Sequence, residues 1–192
     1  MRDSDNIFLM CKSFNTSRAG FTLIELMMVI AIAGIMILLA APSFVSMTQR
    51  YRALSEVNGF AGDLLFARSE AIKRGAPVSM CVSSDGATCL ASSVDWHKGW
   101  IIFTDAVPDL TIGTMLRVQK GWTGTDTFKA NNSLSSISYS RDGFTVGLPS
   151  AGGLVVLTLH TSPSSTNSTQ CVTIVKTGRH ETLPGKSTGV CT

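Results

Sequence analysis

The chain has 192 residues, 44% of them apolar and only 15% charged, and its 16 Lys and Arg against 13 Asp and Glu leave a net charge of +3. That length accommodates one domain plus an anchoring segment, and a balance so near neutrality does not argue for a wholesale nucleic-acid-binding surface. No Gly-x-Ser-x-Gly elbow, phosphate loop, His-Glu-x-x-His or paired-cysteine redox motif occurs, so the reading is of a non-enzyme without a cofactor.

Residues 1–20 carry Arg2, Lys12 and Arg18 against Asp3 and Asp5 and lack the apolar core of a secretory signal peptide. They read as a cytoplasmic leader that is removed. Subtracting these three basic and two acidic residues leaves 13 against 11, a net charge of +2 for the rest of the chain. From Phe21 to Ala41 run 21 residues in which Glu25 is the single charge. As an α-helix this run is about 30 Å long, the thickness of a bilayer core, and it reads as a membrane span. An ionised glutamate in hydrocarbon costs about 3 kcal/mol or more, so Glu25 needs a partner. Cleavage of the Gly20–Phe21 bond would create one: the new α-amino group of Phe21 would lie a helical turn from Glu25 of the same chain, or meet Glu25 of a neighbour in an assembly.

Beyond Pro42 the helical period continues but the polarity changes. Met47, Tyr51, Leu54, Asn58, Ala61, Leu65, Arg68 and Ile72 step by three and four, with Val57, Phe60, Leu64, Ala67 and Ala71 widening the stripe. Arg50, Arg52, Glu56, Asp63, Lys73 and Arg74 mostly fall elsewhere. Gly75 followed by Ala76-Pro77 is a stop signal, and Pro42, Gly59 and Gly62 are places to bend. Seven β-branched or aromatic runs follow, at 78–82, 100–104, 115–119, 137–139, 144–146, 154–159 and 171–175. Asp85-Gly86, Lys98-Gly99, Asp142-Gly143 and Gly152-Gly153 fall between them as turn signals. The pattern predicts an α+β chain, its antiparallel sheet curled over the apolar face of a long helix. The divisions are a leader at 1–20, a transmembrane and assembly helix at 21–42, its amphipathic continuation at 43–75 and an exported β-rich domain at 76–192.

Cys11 lies in the leader, which leaves Cys81, Cys89, Cys171 and Cys191 on one side of the span and suggests two disulfides in an oxidising compartment. Four cysteines allow three pairings; Cys81–Cys89 with Cys171–Cys191 is favoured because each closes a short local loop. A structural zinc site has neither a CxxC pair nor paired histidines to support it. His97, His160 and His180 share no motif. Asp105 and Asp109 flank a proline-containing loop that could hold calcium, but the spacing is not that of an EF-hand and a solvated loop is the expectation.

Arg18-Ala-Gly-Phe-Thr-Leu-Ile-Glu25 resembles the processing signal of type IV pilins and type II secretion pseudopilins. The resemblance implies that prepilin peptidase cuts after Gly20 and methylates Phe21, that Glu25 serves assembly, and that Pro42 marks a kink. Ala67-Arg-Ser-Glu-Ala-Ile-Lys-Arg74, Val78 to Cys81, Asp85-Gly86, Gly99-Trp-Ile-Ile-Phe-Thr-Asp105 and Gly143-Phe-Thr are similar to the FimT/GspH-type minor pilins and pseudopilins. That second resemblance implies a helical spine on a β-sandwich-like domain, at a filament tip or initiation complex. The expected partners are prepilin peptidase, other pilins or pseudopilins, and inner-membrane lipid before assembly, with the domain periplasmic. The H-type pseudopilin of a type II secretion system is the alternative machine.

The tail adds one further question. After the polar connector at 161–170, Lys176, Arg179, His180 and Lys186 gather against Glu181. Some FimT-type pilins that bind DNA carry Gly-Arg-x-Arg, whereas this chain has Gly178-Arg-His-Glu181, with an acid in place of the second arginine. DNA binding through Lys176, Arg179 and Lys186 is therefore weighed against a solvated strand end and a disulfide-tied tail, because Glu181 repels phosphate.

Overall fold

The computed structural model describes residues 20–148, 153–163, 167–185 and 191, with the side chains of residues 39–42 excepted. Residues 1–19 of the leader, Gly152, Lys186 and the side chain of Pro42 lie outside the described residues. Two compact units divide at Pro42 and Ser43.

The long helix α1 (Leu23–Arg74) is followed by β1 (Val78–Val82), a 3-10 turn (Trp96–Lys98), β2 (Gly99–Thr104), β3 (Met115–Lys120), β4 (Thr127–Ala130), β5 (Ser136–Tyr139), β6 (Thr145–Val146), β7 (Leu154–His160), β8 (Gln170–Val175) and β9 (His180–Pro184). Thr22 caps the start of α1, its hydroxyl accepting the Glu25 amide at 3.2 Å. At the other end, Gly75 takes φ +62°, Ala76 N donates to Ala71 O, and Gly75 N donates to Ile72 O. Those two bonds form a Schellman motif, which satisfies carbonyls the helix leaves open.

Among the described residues nine strands form where seven were expected. β4 was missed because its alternation is confined to four residues, and β9 because it is polar. All pairings are antiparallel, in one sheet ordered β3-β2-β1-β5-β6 and another ordered β4-β7-β8-β9. Both sheets and α1 share one apolar core. Phe60 is its centre, meeting Trp96, Trp100 and Phe128 edge-on with ring centroids 5.4, 5.2 and 4.9 Å away. The outer face of the five-stranded sheet carries a smaller cluster of Cys81, Ile101 and Phe103, covered by Cys89, Leu110, Ile112 and Met115. Disulfides join Cys81 to Cys89 and Cys171 to Cys191, the pairing that closes two local loops.

Half of the expected stripe is the buried face of α1, and half is not. Met47, Tyr51, Leu65 and Ile72 are each more than half exposed, while Ala53, Val57, Phe60, Leu64, Ala67 and Ala71 are fully buried. Small side chains let the helix backbone approach the sheets, and the bulkier neighbouring stripe is left outside. Asp63 also belongs to the inner face, contrary to expectation. Its carboxylate accepts Trp100 Nε1 at 2.8 Å and Arg117 Nη1 at 2.5 Å, and Arg117 lies 4.0 Å over the Phe66 ring. The edge strand β3 is thereby tied to the helix through a neutralised acid.

A second acid on α1 is less well served. Arg52 makes a bidentate pair with buried Asp126, at 2.7 and 2.8 Å, and Ser162 N donates to the same carboxylate. Glu56 sits beside this pair with a buried Oε2 that has no hydrogen-bond partner among the described residues. Burial first, and then the Asp126 charge, push its carboxyl from 4.5 up to about 7, with Arg52 opposing. A folded state that holds this proton longer than the unfolded chain loses stability as pH rises from 4.5 to about 7. Glu56→Gln is therefore expected to match the parent near pH 4 and to exceed it by about 1 kcal/mol at pH 8, the full shift being discounted for partial exposure. Thermal melts of both chains at the two pH values check this; a difference that does not grow with pH would reject it.

Candidate functional site

Gly20 and Phe21 precede the first turn of α1, and both are exposed, as is Glu25. Phe21 is 83% accessible. The Thr22 cap places Glu25 at the third helical position, where a carboxylate also faces the positive end of the helix dipole. The helix thus begins two residues beyond the predicted scissile bond, which lies in exposed chain outside it. Along the following segment Leu23, Ile24, Leu26, Met27, Met28, Val29, Ile30, Ile32, Ile35, Met36, Ile37 and Leu38 are all exposed. Neither Leu23–Leu38 nor Ser43–Arg74 alone is long and apolar enough to cross a membrane; only the pair together passes by length and composition.

In the second unit α1 keeps an exposed apolar strip of Phe44, Val45, Met47, Tyr51, Leu65 and Ile72. Its far end meets the turns β5–β6 and β8–β9. Arg68 donates to Gly178 O at 3.2 Å and to Thr177 O at 3.3 Å. Gly178 adopts φ +78°, and a side chain there would strike the Gly143 carbonyl. The glycine of the Gly178-Arg179 segment is accordingly required by close packing of two turns, whatever the arginine does.

The structure brings Lys176 and Arg179 to the β8–β9 turn, with Lys176 N bonded to Gly153 O at 2.9 Å. Arg179 is largely exposed, and its Nη2 lies 3.6 Å from Glu181 Oε2. The acid that replaces an arginine therefore engages the arginine that remains. His180 is half-buried, and burial, followed by the Arg68 charge, holds its imidazole below the ordinary range. His97 plays a local part, its Nδ1 accepting Phe128 N at 3.2 Å. Among the described residues no three His, Cys, Asp or Glu side chains gather into a metal-binding group.

A capped helix with exposed apolar residues, leading into a helix packed on antiparallel sheets, defines the type IV pilin fold. The crystal structure of the type IV minor pilin FimU from Pseudomonas aeruginosa matches with TM-score 0.55 at 22% identity, over 78% of this chain and 99% of that one. A second crystal form of the same pilin matches with TM-score 0.52 at 22% identity, over 74% and 99%. The family model described as type II transport protein GspH matches residues 56–178, and that of the prokaryotic N-terminal methylation motif matches residues 15–41. The chain belongs to the GspH family. No curated protein sequence matches it significantly.

Proposed function

We propose that this chain is a minor pilin of a type IV pilus, held in the inner membrane by residues 21–42 with its domain in the periplasm, and then drawn into the filament at its tip or initiation complex. Prepilin peptidase cuts after Gly20 and methylates Phe21. The observation that carries this reading is the exposure of every large apolar side chain from Leu23 to Leu38, with the single carboxylate of Glu25 in the first turn. Such a surface requires hydrocarbon or other helices to cover it, and Ala31 and Gly34 are small enough for helices to approach closely. The exposed strip from Phe44 to Ile72 extends the surface available to neighbouring subunits.

The match to the GspH model favours a second reading, an H-type pseudopilin of a type II secretion system. Both readings require the same processing. Gly20→Leu is expected to leave full-length precursor in membranes, where the parent yields a shorter product beginning at methylated Phe21. Immunoblotting and N-terminal mass analysis check this, and a shortened product from the variant would reject it. Deleting the gene then separates the machines, since loss of surface filaments marks the pilus and loss of protein export marks the pseudopilus.

A further inference from the structure

Past the apolar run that ends at Ala41, α1 passes through the ten residues 43–52 before the core begins. Ala53 is its first fully buried apolar residue among those described. Within 43–52, Phe44, Val45, Met47 and Tyr51 are all more than half exposed. The segment carries Arg50 and Arg52 and no acid. Its hydroxyls are turned back on the helix, Ser46 Oγ donating to Ser43 O at 2.9 Å and Thr48 Oγ1 to Phe44 O at 2.8 Å. What it presents to its surroundings is therefore hydrocarbon and positive charge.

Phe44, Met47 and Tyr51 are spaced three and four apart and share one face of the helix, with Arg50 at its border. Arg52 is committed to Asp126, whereas Arg50 makes no ion pair among the described residues. At a rise of about 1.5 Å per residue the segment is about 15 Å long, and the headgroup layer on each side of the hydrocarbon is about 5–8 Å deep. With the run 21–41 filling the hydrocarbon, Phe44 falls within that layer and Met47 at its outer edge. Arg50 and Tyr51 start beyond it, but side chains on a helix lean toward its N-terminus, here toward the membrane. An aromatic ring and a long cationic side chain are the groups that settle at a membrane surface, their apolar parts on hydrocarbon and their polar ends on water or phosphate.

We propose that Phe44, Met47, Arg50 and Tyr51 form a lipid-binding collar, in which the apolar side chains enter the headgroup layer and Arg50 pairs with a phospholipid phosphate. The inference rests on the reading of residues 21–42 as the membrane segment. Charge selects lipid over a second copy of the chain as the occupant of this face. A phosphate layer answers Arg50, whereas the apolar helix of a second copy offers it only Glu25, at the far end of the run. The collar keeps the start of the domain at the membrane surface, and its lipid is shed when the subunit is drawn into the filament.

The test uses the full chain in phosphatidylglycerol-containing vesicles, with tryptophan placed along α1 by Ile30→Trp, Tyr51→Trp or Leu65→Trp. The parent, with its own Trp96, Trp100 and Trp122, supplies the background. A nitroxide on the lipid headgroup should quench the tryptophan at 51, and bromine deep on the acyl chains should quench that at 30. Neither should reach position 65, about 20 Å further along the helix than 51. Adding Arg50→Gln to Tyr51→Trp should lower the ratio of lipid-contacting to free collar about fivefold, the effect of one cation at an anionic surface. Quenching at 30 without quenching at 51 would overturn the collar and leave the span in place. Loss of quenching at both would overturn the membrane reading and the collar with it. Headgroup quenching at 51 that is unchanged by Arg50→Gln would refute the phosphate contact. Shielding of position 51 that grows with the protein-to-lipid ratio would give this face to a second copy and likewise overturn the proposal.

Discussion

Phe60→Ala is expected to destabilise the domain by about 4 kcal/mol, as for other large buried aromatics truncated in a core that cannot collapse around the gap. Phe60 is fully buried and is the ring on which α1 meets both sheets, touching Trp96 and Trp100 on one side and Phe128 of β4 on the other. Its removal forfeits three edge-on aromatic contacts together with the transfer energy of the ring. Melting should fall by about 10 °C for a unit of this size. Leu65→Ala is the matched control. Leu65 lies little more than one turn further along the helix but is 55% exposed, so its truncation should change domain stability by less than about 0.5 kcal/mol. Denaturant unfolding of the two variants and the parent checks both numbers. Equal losses at the two positions would mean that the helix is rotated relative to the packing described.

That contrast also shows what periodicity can and cannot reveal. The three-and-four spacing along residues 47–72 establishes that the helix is amphipathic, and the Gly75 stop marks its end because only a left-handed residue fits there. Spacing cannot identify which of two adjacent apolar stripes faces inward. Bulk favours Met47, Tyr51, Leu65 and Ile72; packing favours the stripe rich in alanine, because the positions of Trp96, Trp100 and Phe128 decide how near the helix can come. Asp63 was misplaced for the same reason: its partners Trp100 and Arg117 are 37 and 54 residues away in sequence. The strands at 78–82 and 100–104 were legible from their β-branched and aromatic runs, whereas β4 and β9 exist because β7 and β8 offer them edges to pair with. At the tail, Gly178 was legible as part of a motif but not as a packing requirement, since Gly143 is its neighbour only in the folded chain. Asp105 was visible as a loop acid, yet its full burial could not be read from sequence.

Glu25→Gln is the substitution that separates two roles for the same residue. Thr22-Leu-Ile-Glu25 is laid out as a helix capping box, and the Thr22 half of it is in place. Glutamine serves a capping box as well as glutamate does. If Glu25 only starts the helix, Glu25→Gln should behave as the parent and Glu25→Ala should be mildly impaired. Pairing with the amine of Phe21 makes the opposite demand, because glutamine carries no charge to meet an ammonium group. An unpaired carboxylate in hydrocarbon costs about 3 kcal/mol, roughly a hundredfold in an equilibrium, and pairing with the amine of a neighbouring chain relieves that cost on assembly. Both variants are therefore expected to be cut after Gly20 like the parent, and both to be depleted at least tenfold from sheared filaments, within the bound that this energy sets. Quantitative immunoblotting of membrane and filament fractions measures both effects in one experiment. Incorporation of Glu25→Gln at the parent level would assign the residue to the helix cap and remove its charge from the assembly mechanism.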